Sequence, residues 1–203
     1  DLLLKSSFGK QVQFIRLIEH ENALGQKQQF FAISNNTSIP VGKGTNYMTG
    51  LWKSFGRLTL DVEAYYRQLD GAIIHGTQSP GLRPLTPMSG ISSFRLFQGY
   101  SQSYGADFSL AYEDKSFFSM LAYTISKTEN RFKQIFRNQY FPSSEDSRHQ
   151  IKWVNAITFK KFDISASYIG ASGRPYLDLS SINSPQDRNN LIINNYIKNL
   201  PAY

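Results

Sequence analysis

The stretch from Tyr104 to Lys127 constrains the fold most, because apolar and small polar side chains alternate along it with a period of two residues. One face of this stretch collects Ala106, Phe108, Leu110, Tyr112, Phe117, Leu121, Tyr123 and Ile125. The pair Glu113-Asp114 predicts a tight turn, and a two-residue turn there places Leu110 opposite Phe117. The apolar sides of the two halves then coincide, so the pattern predicts a β-hairpin with one apolar and one polar face.

Other segments alternate in the same way. Residues 57–69 place Leu58, Leu60, Val62, Ala64 and Tyr66 on one face, and Thr59, Asp61, Glu63, Tyr65 and Arg67 on the other. Around a turn at Lys160-Lys161, a third hairpin pairs Phe159 with Phe162, Ile157 with Ile164 and Trp153 with Tyr168. The weaker patterns of residues 10–18, 30–34 and 47–53 also predict strands, and the turn-rich residues 35–46 predict a loop.

The turns between these strands alternate in length. Short turns are predicted at residues 54–56, 113–114 and 160–161, and long loops at residues 71–93, 128–147 and from 170 onward. All short turns then lie at one end of the sheet and all long loops at the other. Outer-membrane barrels sort their connections in this way, with short periplasmic turns and long extracellular loops.

Aromatic residues make up 14% of the chain, and they fall into two groups along the strands. Tyr66, Tyr123 and Tyr168 lie about seven to ten residues beyond a short turn, whereas those near a short turn are Trp52, Tyr112, Phe117, Phe159 and Phe162. At roughly 3.3 Å per residue and a tilt near 40°, the two groups are separated by about 15 to 20 Å. This separation approximates the lipid-facing band between two aromatic girdles.

The fold class predicted is therefore all-β: part of a transmembrane, antiparallel, up-and-down β-barrel. The side chains expected to face lipid are Leu60, Val62, Phe108, Leu110, Leu121, Ile125, Ile157 and Ile164. Those expected to face the lumen are Asp61, Glu63, Arg67, Asp107 and Lys152, since basic residues facing lipid at the midplane would each cost about 2 to 4 kcal/mol. The alternative interpretation of the apolar face is the core of a soluble β-sandwich or barrel.

Composition and motifs exclude several other classes. The 203 residues contain no apolar run long enough for a spanning helix, so a membrane would be met by strands. The net charge of +7 is scattered, with no basic cluster longer than Lys160-Lys161, which argues against nucleic-acid binding. There is no cysteine, the three histidines share no metal-binding spacing, and no nucleophile elbow or phosphate loop is present. We expect no catalysis, no metal and no cofactor.

Seven segments together resemble the C-terminal barrel region of the TonB-dependent outer-membrane receptors, in the form common in the Bacteroidetes. They are IPVGKGTNYMTGL (39–51), LDVEAYYRQLDG (60–71), GYSQSYGADFSLAY (99–112), AYTISKTENRF (122–132), FPSSEDSRHQI (141–151), SASYIGASGRPY (165–176) and LPAY (200–203). The resemblance covers nearly all of the chain, and the combination is more specific than any one segment. Residues 19–35 are its least informative part.

The resemblance implies a barrel of 22 antiparallel strands around an N-terminal plug, in the outer membrane of a Gram-negative cell. Residues 1–203 would supply about seven of those strands, without the plug, the TonB box or the closing strand. The chain is therefore expected to be a piece of a larger receptor. The implied partners are outer-membrane lipid, the TonB-ExbB-ExbD system acting through the plug, and either a surface lipoprotein or a larger outer-membrane complex.

The function expected from the resemblance is TonB-dependent import of a scarce ligand, such as a siderophore, a metal complex or another nutrient. Ligand contacts in the outer loops are expected from Arg83, Phe94, Arg95, Arg137, Tyr140 and Tyr176, because Arg and aromatic side chains dominate binding surfaces. The excess of basic residues would suit an anionic ligand. Two alternatives stay open: a receptor-like barrel that is a structural or accessory subunit of a larger complex, and a passive porin.

Two loop segments carry both a structural and a functional interpretation. His149 is expected to make a rim contact that involves Asp146 and Arg148, rather than to bind a metal. The sequence GRPY, at residues 173–176, is expected to form an ordered loop base, with ligand contact as the alternative.

Overall fold

The structure is a computed structural model that describes residues 2–21, 27–77, 94–133, 138–177 and 197–199. Within these ranges there is no α-helix, and twelve β-strands follow one another. They are β1 (Leu2–Gln13), β2 (Ile15–Glu21), β3 (Lys27–Ile33), β4 (Gly42–Phe55), β5 (Leu58–Thr77), β6 (Phe94–Asp114), β7 (Phe117–Phe132), β8 (Phe141–Pro142), β9 (His149–Phe159), β10 (Phe162–Ala171), β11 (Pro175–Leu177) and β12 (Ile197–Asn199). The prediction of an all-β chain is confirmed.

Seven long strands form one antiparallel sheet in the order β1-β4-β5-β6-β7-β9-β10. Each long strand pairs with the next long strand along the chain, so the topology is up-and-down. Strand β8 adds a short pairing to β7, whereas β2-β3 and β11-β12 are separate two-stranded sheets. The antiparallel arrangement expected from the alternating pattern is therefore present.

The third hairpin has the register that the sequence predicts. Strands β9 and β10 pair Phe159 with Phe162, Ile157 with Ile164 and Trp153 with Tyr168. Its turn is Lys160-Lys161, and Lys160 adopts a positive φ of 54°. The two-residue connection and the matching apolar positions together fix this register.

The hairpin of β6 and β7 differs from the prediction in its register. Its turn is Lys115-Ser116 rather than 113–114, so Leu110 opposes Leu121 instead of Phe117. Two contacts of Asp114 explain the longer ladder: its carboxylate accepts the Lys115 N–H at 2.6 Å and binds the Arg57 guanidinium at 2.8 Å. The partner of each residue shifts by four positions, an even number, so every side chain keeps its predicted face.

Several other boundaries also differ from the prediction. The first short turn is residues 56–57 rather than 54–56, and β4 begins at Gly42, inside the predicted loop 35–46. The predicted loop 71–93 begins later, because β5 continues to Thr77; residues 78–93 lie outside the described ranges. Strand β7 likewise extends to Phe132, inside the predicted loop 128–147. Strands β4 and β7 continue into polar sequence here, because backbone ladder bonds do not depend on side-chain hydropathy.

Residues 14–21 and 27–41 lie between β1 and β4 at the long-loop end of the sheet, and they include the paired strands β2 and β3. Arg16 anchors these residues, since its guanidinium donates to the Gly71 carbonyl at 2.7 Å and to the Gln13 side chain at 3.2 Å. Gly71 sits at a register shift in β5 with a φ of +76°, a left-handed conformation that favours glycine. Arg16 is only 6% exposed, and this burial lowers the pKa of its guanidinium.

Candidate functional site

One face of the seven-stranded sheet is apolar. The register places all eight side chains expected to face lipid on this face: Leu60, Val62, Phe108, Leu110, Leu121, Ile125, Ile157 and Ile164. Strand β1 adds Leu2, Leu4 and Phe8 through its pairing with β4. We call this surface the apolar face.

No other part of the described chain covers the apolar face. Leu110, Leu121 and Ile125 are each 40% exposed, and Ile164 is 62% exposed. Among the described residues, the buried hydrophobic side chains are Ile18, Ala72 and Phe132, and none of these three belongs to the central part of that face. Within the described residues, the sheet therefore has no second layer packed on its apolar side.

Aromatic side chains follow the apolar face across neighbouring strands. The ring centroids of Phe8 and Tyr47 are 5.1 Å apart, and those of Tyr47 and Tyr66 are 6.4 Å apart. Phe108 and Tyr123 form a second pair at 6.3 Å. These distances are typical of aromatic contacts that stabilise adjacent strands.

Trp52 does not lie with the other predicted aromatics. It pairs with Asp61, so it belongs to the opposite, polar face of the sheet. The expectation that Trp52 joins the row near the short turns of the apolar face is wrong. The sequence does not predict the face on which Trp52 lies, because the strand before the turn carries too few apolar side chains to define an apolar face.

The opposite face of the sheet carries charges. The five side chains expected to face a lumen share this polar face: Asp61, Glu63, Arg67, Asp107 and Lys152. Their common orientation follows from the register of the paired strands.

Lys5 organises the centre of the polar face. Its ammonium nitrogen lies 2.9 Å from an Asp61 carboxylate oxygen and also forms an ion pair with Glu63. These groups are about a third exposed, so solvent screens the ion pairs and their contribution to stability is small. Next to them, the Thr124 hydroxyl donates to Asp107 at 2.5 Å. Residues 2–9 lie outside every strand that the sequence predicts, so sequence reasoning does not find the contacts of Lys5.

The long-loop end of the sheet holds an ordered polar loop. Asp146 is 4% exposed, and its carboxylate accepts the Thr128 N–H at 2.8 Å and the Arg148 guanidinium at 2.9 Å. Asp146 and Arg148 pair with each other, and among the described contacts His149 does not make the expected rim contact with them. His149 contacts a different residue, Tyr123, whose hydroxyl lies 2.8 Å from its Nδ1. Arg174 of the GRPY segment binds Glu145 at 3.2 Å in an exposed ion pair.

The expected ligand contacts are only partly described. Tyr140 and Tyr176 are 36% and 41% exposed at the long-loop end. Arg83 and Arg137 lie outside the described residues, and so do the side chains of Phe94 and Arg95, whose backbones pair in β6. Of these six residues, the structure therefore describes the side chains of Tyr140 and Tyr176 alone, and the expected ligand site stays a prediction.

Tyr140 takes part in a stack that sequence reasoning missed. The Arg131 guanidinium lies 5.0 Å from the Tyr100 ring centroid and 4.8 Å from that of Tyr140. The Nε atom of Arg131 is buried and has no hydrogen-bond partner among the described residues. Tyr100 and Arg131 are direct register partners, so correct strand pairing would have found this contact.

The described ranges contain no cluster of His, Cys, Asp and Glu side chains suited to a metal ion. In the same ranges, no helix has the length and apolarity needed to cross a membrane. The comparisons with known proteins add no relative: no family model, no curated protein and no solved structure matches this chain.

Proposed function

We propose that this chain forms part of the wall of a transmembrane β-barrel, with the apolar face toward lipid and the polar face toward an aqueous lumen. The observation that carries the proposal is the uncovered apolar face of a continuous antiparallel sheet of seven strands. Contact between this apolar surface and water would cost about 25 cal/mol of free energy for each Å². Lipid is the surrounding that removes this cost while the opposite face stays wet.

The stagger of the aromatic residues supports the barrel. Tyr66 aligns with Tyr104 on β6, whereas Tyr123 aligns with Phe108, four residues nearer the short turn. Tyr168 aligns with Leu110 through Trp153 and Leu121, a further two residues along. Residues at one membrane depth shift progressively in this way when strands tilt relative to the barrel axis.

The distribution of connections gives the barrel an orientation. Short turns at residues 56–57, 115–116 and 160–161 share one end of the sheet, and the long connections share the other. In outer-membrane barrels the short turns lie in the periplasm and the long loops outside the cell. The β2-β3 hairpin and the loop of Asp146 would then be extracellular.

Within this architecture, the function that fits best is TonB-dependent import of a scarce ligand across the outer membrane. The support is the resemblance of the seven sequence segments to that receptor family, together with a charged face suited to a wide aqueous lumen. The ligand would be captured by the outer loops and released past a plug moved by TonB, ExbB and ExbD. This is transport without covalent chemistry.

Cysteine labelling tests the membrane orientation, and residues 1–203 contribute no native cysteine to the background. Cysteines at Leu110 and Leu121 would be compared with cysteines at Ser109 and Ala122, their neighbours on the polar face. In outer membranes carrying the full-length protein, a water-soluble maleimide should label the second pair and a lipid-soluble reagent the first. Equal labelling of both pairs by the water-soluble reagent would refute the barrel.

Import needs a separate test. Cells deleted for the gene should lose energy-dependent uptake of one scarce nutrient, and deletion of TonB should cause the same loss. Uptake that continues without TonB would favour a porin. Unchanged uptake together with tight copurification of another complex would favour an accessory subunit.

A further inference from the structure

A cleft of about 440 Å³ lies at the long-loop end of the apolar face. Its floor is formed by the start of β4, through Lys43, and by β5 and β6, through Asp70 and Tyr100. Its wall includes Asn36, Pro40 and Lys133. It is therefore on the side of the sheet that the proposed barrel presents to lipid, and not on the lumen side.

The position of the cleft along the strands is informative. Lys43 lies four residues beyond Tyr47, and Asp70 lies four residues beyond Tyr66, both toward the long-loop end. Four residues correspond to about 13 Å along a strand, or about 10 Å along the normal at a tilt near 40°. If the tyrosines mark the outer edge of the hydrocarbon, the cleft lies at the depth of the lipid headgroups.

Basic side chains dominate this position. Lys43, Asp70, Tyr100 and Arg131 form one continuous row of register partners across β4 to β7, and Lys133 follows just beyond β7. Among the described residues, no carboxylate forms an ion pair with Lys43, Arg131 or Lys133. Lys43 and Lys133 line the cleft together with one anion, Asp70, and Arg131 lies beside it as the register partner of Tyr100, so positive charge is in excess.

The cleft is a built feature of the fold. The Asn35 side chain accepts the backbone N–H groups of Thr37, Ser38 and Ile39 at 2.9–3.0 Å, which orders the loop beside it. Gln98 on β6 donates to the Ser38 carbonyl at 3.3 Å and ties this loop to the sheet. The lysines therefore project beside an ordered wall.

We infer that this cleft binds the phosphorylated sugar headgroup of an outer-leaflet glycolipid; the inference rests on the proposed membrane orientation. Lys43 and Lys133 would contact the phosphate, and Arg131, stacked between two tyrosines, would add a guanidinium nearby. Asp70 would accept a hydrogen bond from a sugar hydroxyl. A ligand with a phosphate but no sugar would leave this carboxylate without such a role. The partner is a lipid, and not the imported ligand.

The test uses the full-length protein in phosphatidylethanolamine vesicles that contain either bis-phosphorylated lipid A or the same lipid A after enzymatic removal of its phosphates. Lipid A retained by the purified protein is counted by mass spectrometry. Each basic residue near a charged surface is worth about fivefold in binding, so the phosphorylated form should be retained at least about fivefold better.

The double variant Lys43→Gln/Lys133→Gln should bring the two forms close to parity. The control Lys53→Gln/Lys161→Gln removes two lysines at the short-turn end and should keep the wild-type preference. A protein that inserts normally but retains both forms equally, or a double variant that keeps the preference, would overturn the headgroup site alone. Failure to insert into either vesicle would overturn the barrel, and the headgroup site with it.

Discussion

Lys5 on β1 reaches across β4 to bind Asp61 on β5, with 2.9 Å between the ammonium nitrogen and the carboxylate oxygen. Gly50 on β4, the direct register partner of Lys5 and of Glu63, makes this crossing possible. A Cβ at Gly50 would lie 2.8 Å from Lys5 Cε and 2.9 Å from the Val62 carbonyl oxygen. The absence of a side chain on the middle strand therefore lets two next-nearest strands share an ion pair.

We predict that Gly50→Ala destabilises the protein by about 1 to 3 kcal/mol, because the added methyl group overpacks a site bounded by backbone. The measurement is urea unfolding of the full-length protein in lipid vesicles. Gly9→Ala is the matched control on β1, since a Cβ at Gly9 meets nothing within 4 Å. Equal unfolding free energies for the two variants would show that the ion pairs of Lys5 do not depend on the missing side chain at Gly50.

Arg16 should hold the β2-β3 hairpin against the sheet. Replacing it with Leu removes its hydrogen bonds to Gly71 and Gln13 and leaves the buried Gly71 carbonyl unpaired, at a cost of about 1 to 3 kcal/mol. Amide hydrogen exchange in β2 and β3 should accelerate about tenfold or more. Leu17→Ala, at a 47% exposed position on the other face of the hairpin, should leave exchange nearly unchanged. Slow exchange in the Arg16 variant would mean that the hairpin is held by other contacts.

Asp146 should be essential to the order of the loop at residues 143–148. Its replacement by Ala removes the acceptor for the Thr128 N–H and the partner of Arg148 in a buried position, which should cost about 2 to 3 kcal/mol. Limited proteolysis should then cut this loop faster. In the control Glu145→Ala, the lost side chain is 72% exposed and its ion pair with Arg174 is worth at most about 1 kcal/mol. Similar cleavage of both variants would contradict the anchoring role.

The sequence predicted the faces of the strands better than their ends. Period-two alternation identifies the face of the sheet on which Leu110 and Leu121 lie. An error of four residues in the β6-β7 register leaves that face unchanged. The turn itself was misplaced because the choice between 113–114 and 115–116 depends on Asp114 binding Arg57, a contact 57 residues apart in sequence. A local pattern does not contain such long-range information.

The charged contacts were predicted less well for a related reason. Asp61 and Glu63 were assigned to the polar face from alternation, but their partner Lys5 lies in a strand whose pattern of Leu, Lys and Ser is too weak to identify. The stack of Arg131 between Tyr100 and Tyr140 depends on the register of β6 and β7 and on the path of the following loop. Pairing across strands, and not composition, creates both contacts.

The central claim is that the apolar face meets lipid, and adjacent arginine substitutions at Leu121 and Ala122 test it most directly. The two positions lie next to each other on β7 and point to opposite faces. The account predicts that Leu121→Arg lowers the stability of the inserted full-length protein by about 2 to 4 kcal/mol and reduces its yield in the outer membrane, whereas Ala122→Arg has little effect on either. Equal tolerance of arginine at both positions, measured as folded protein recovered from outer membranes, would contradict it.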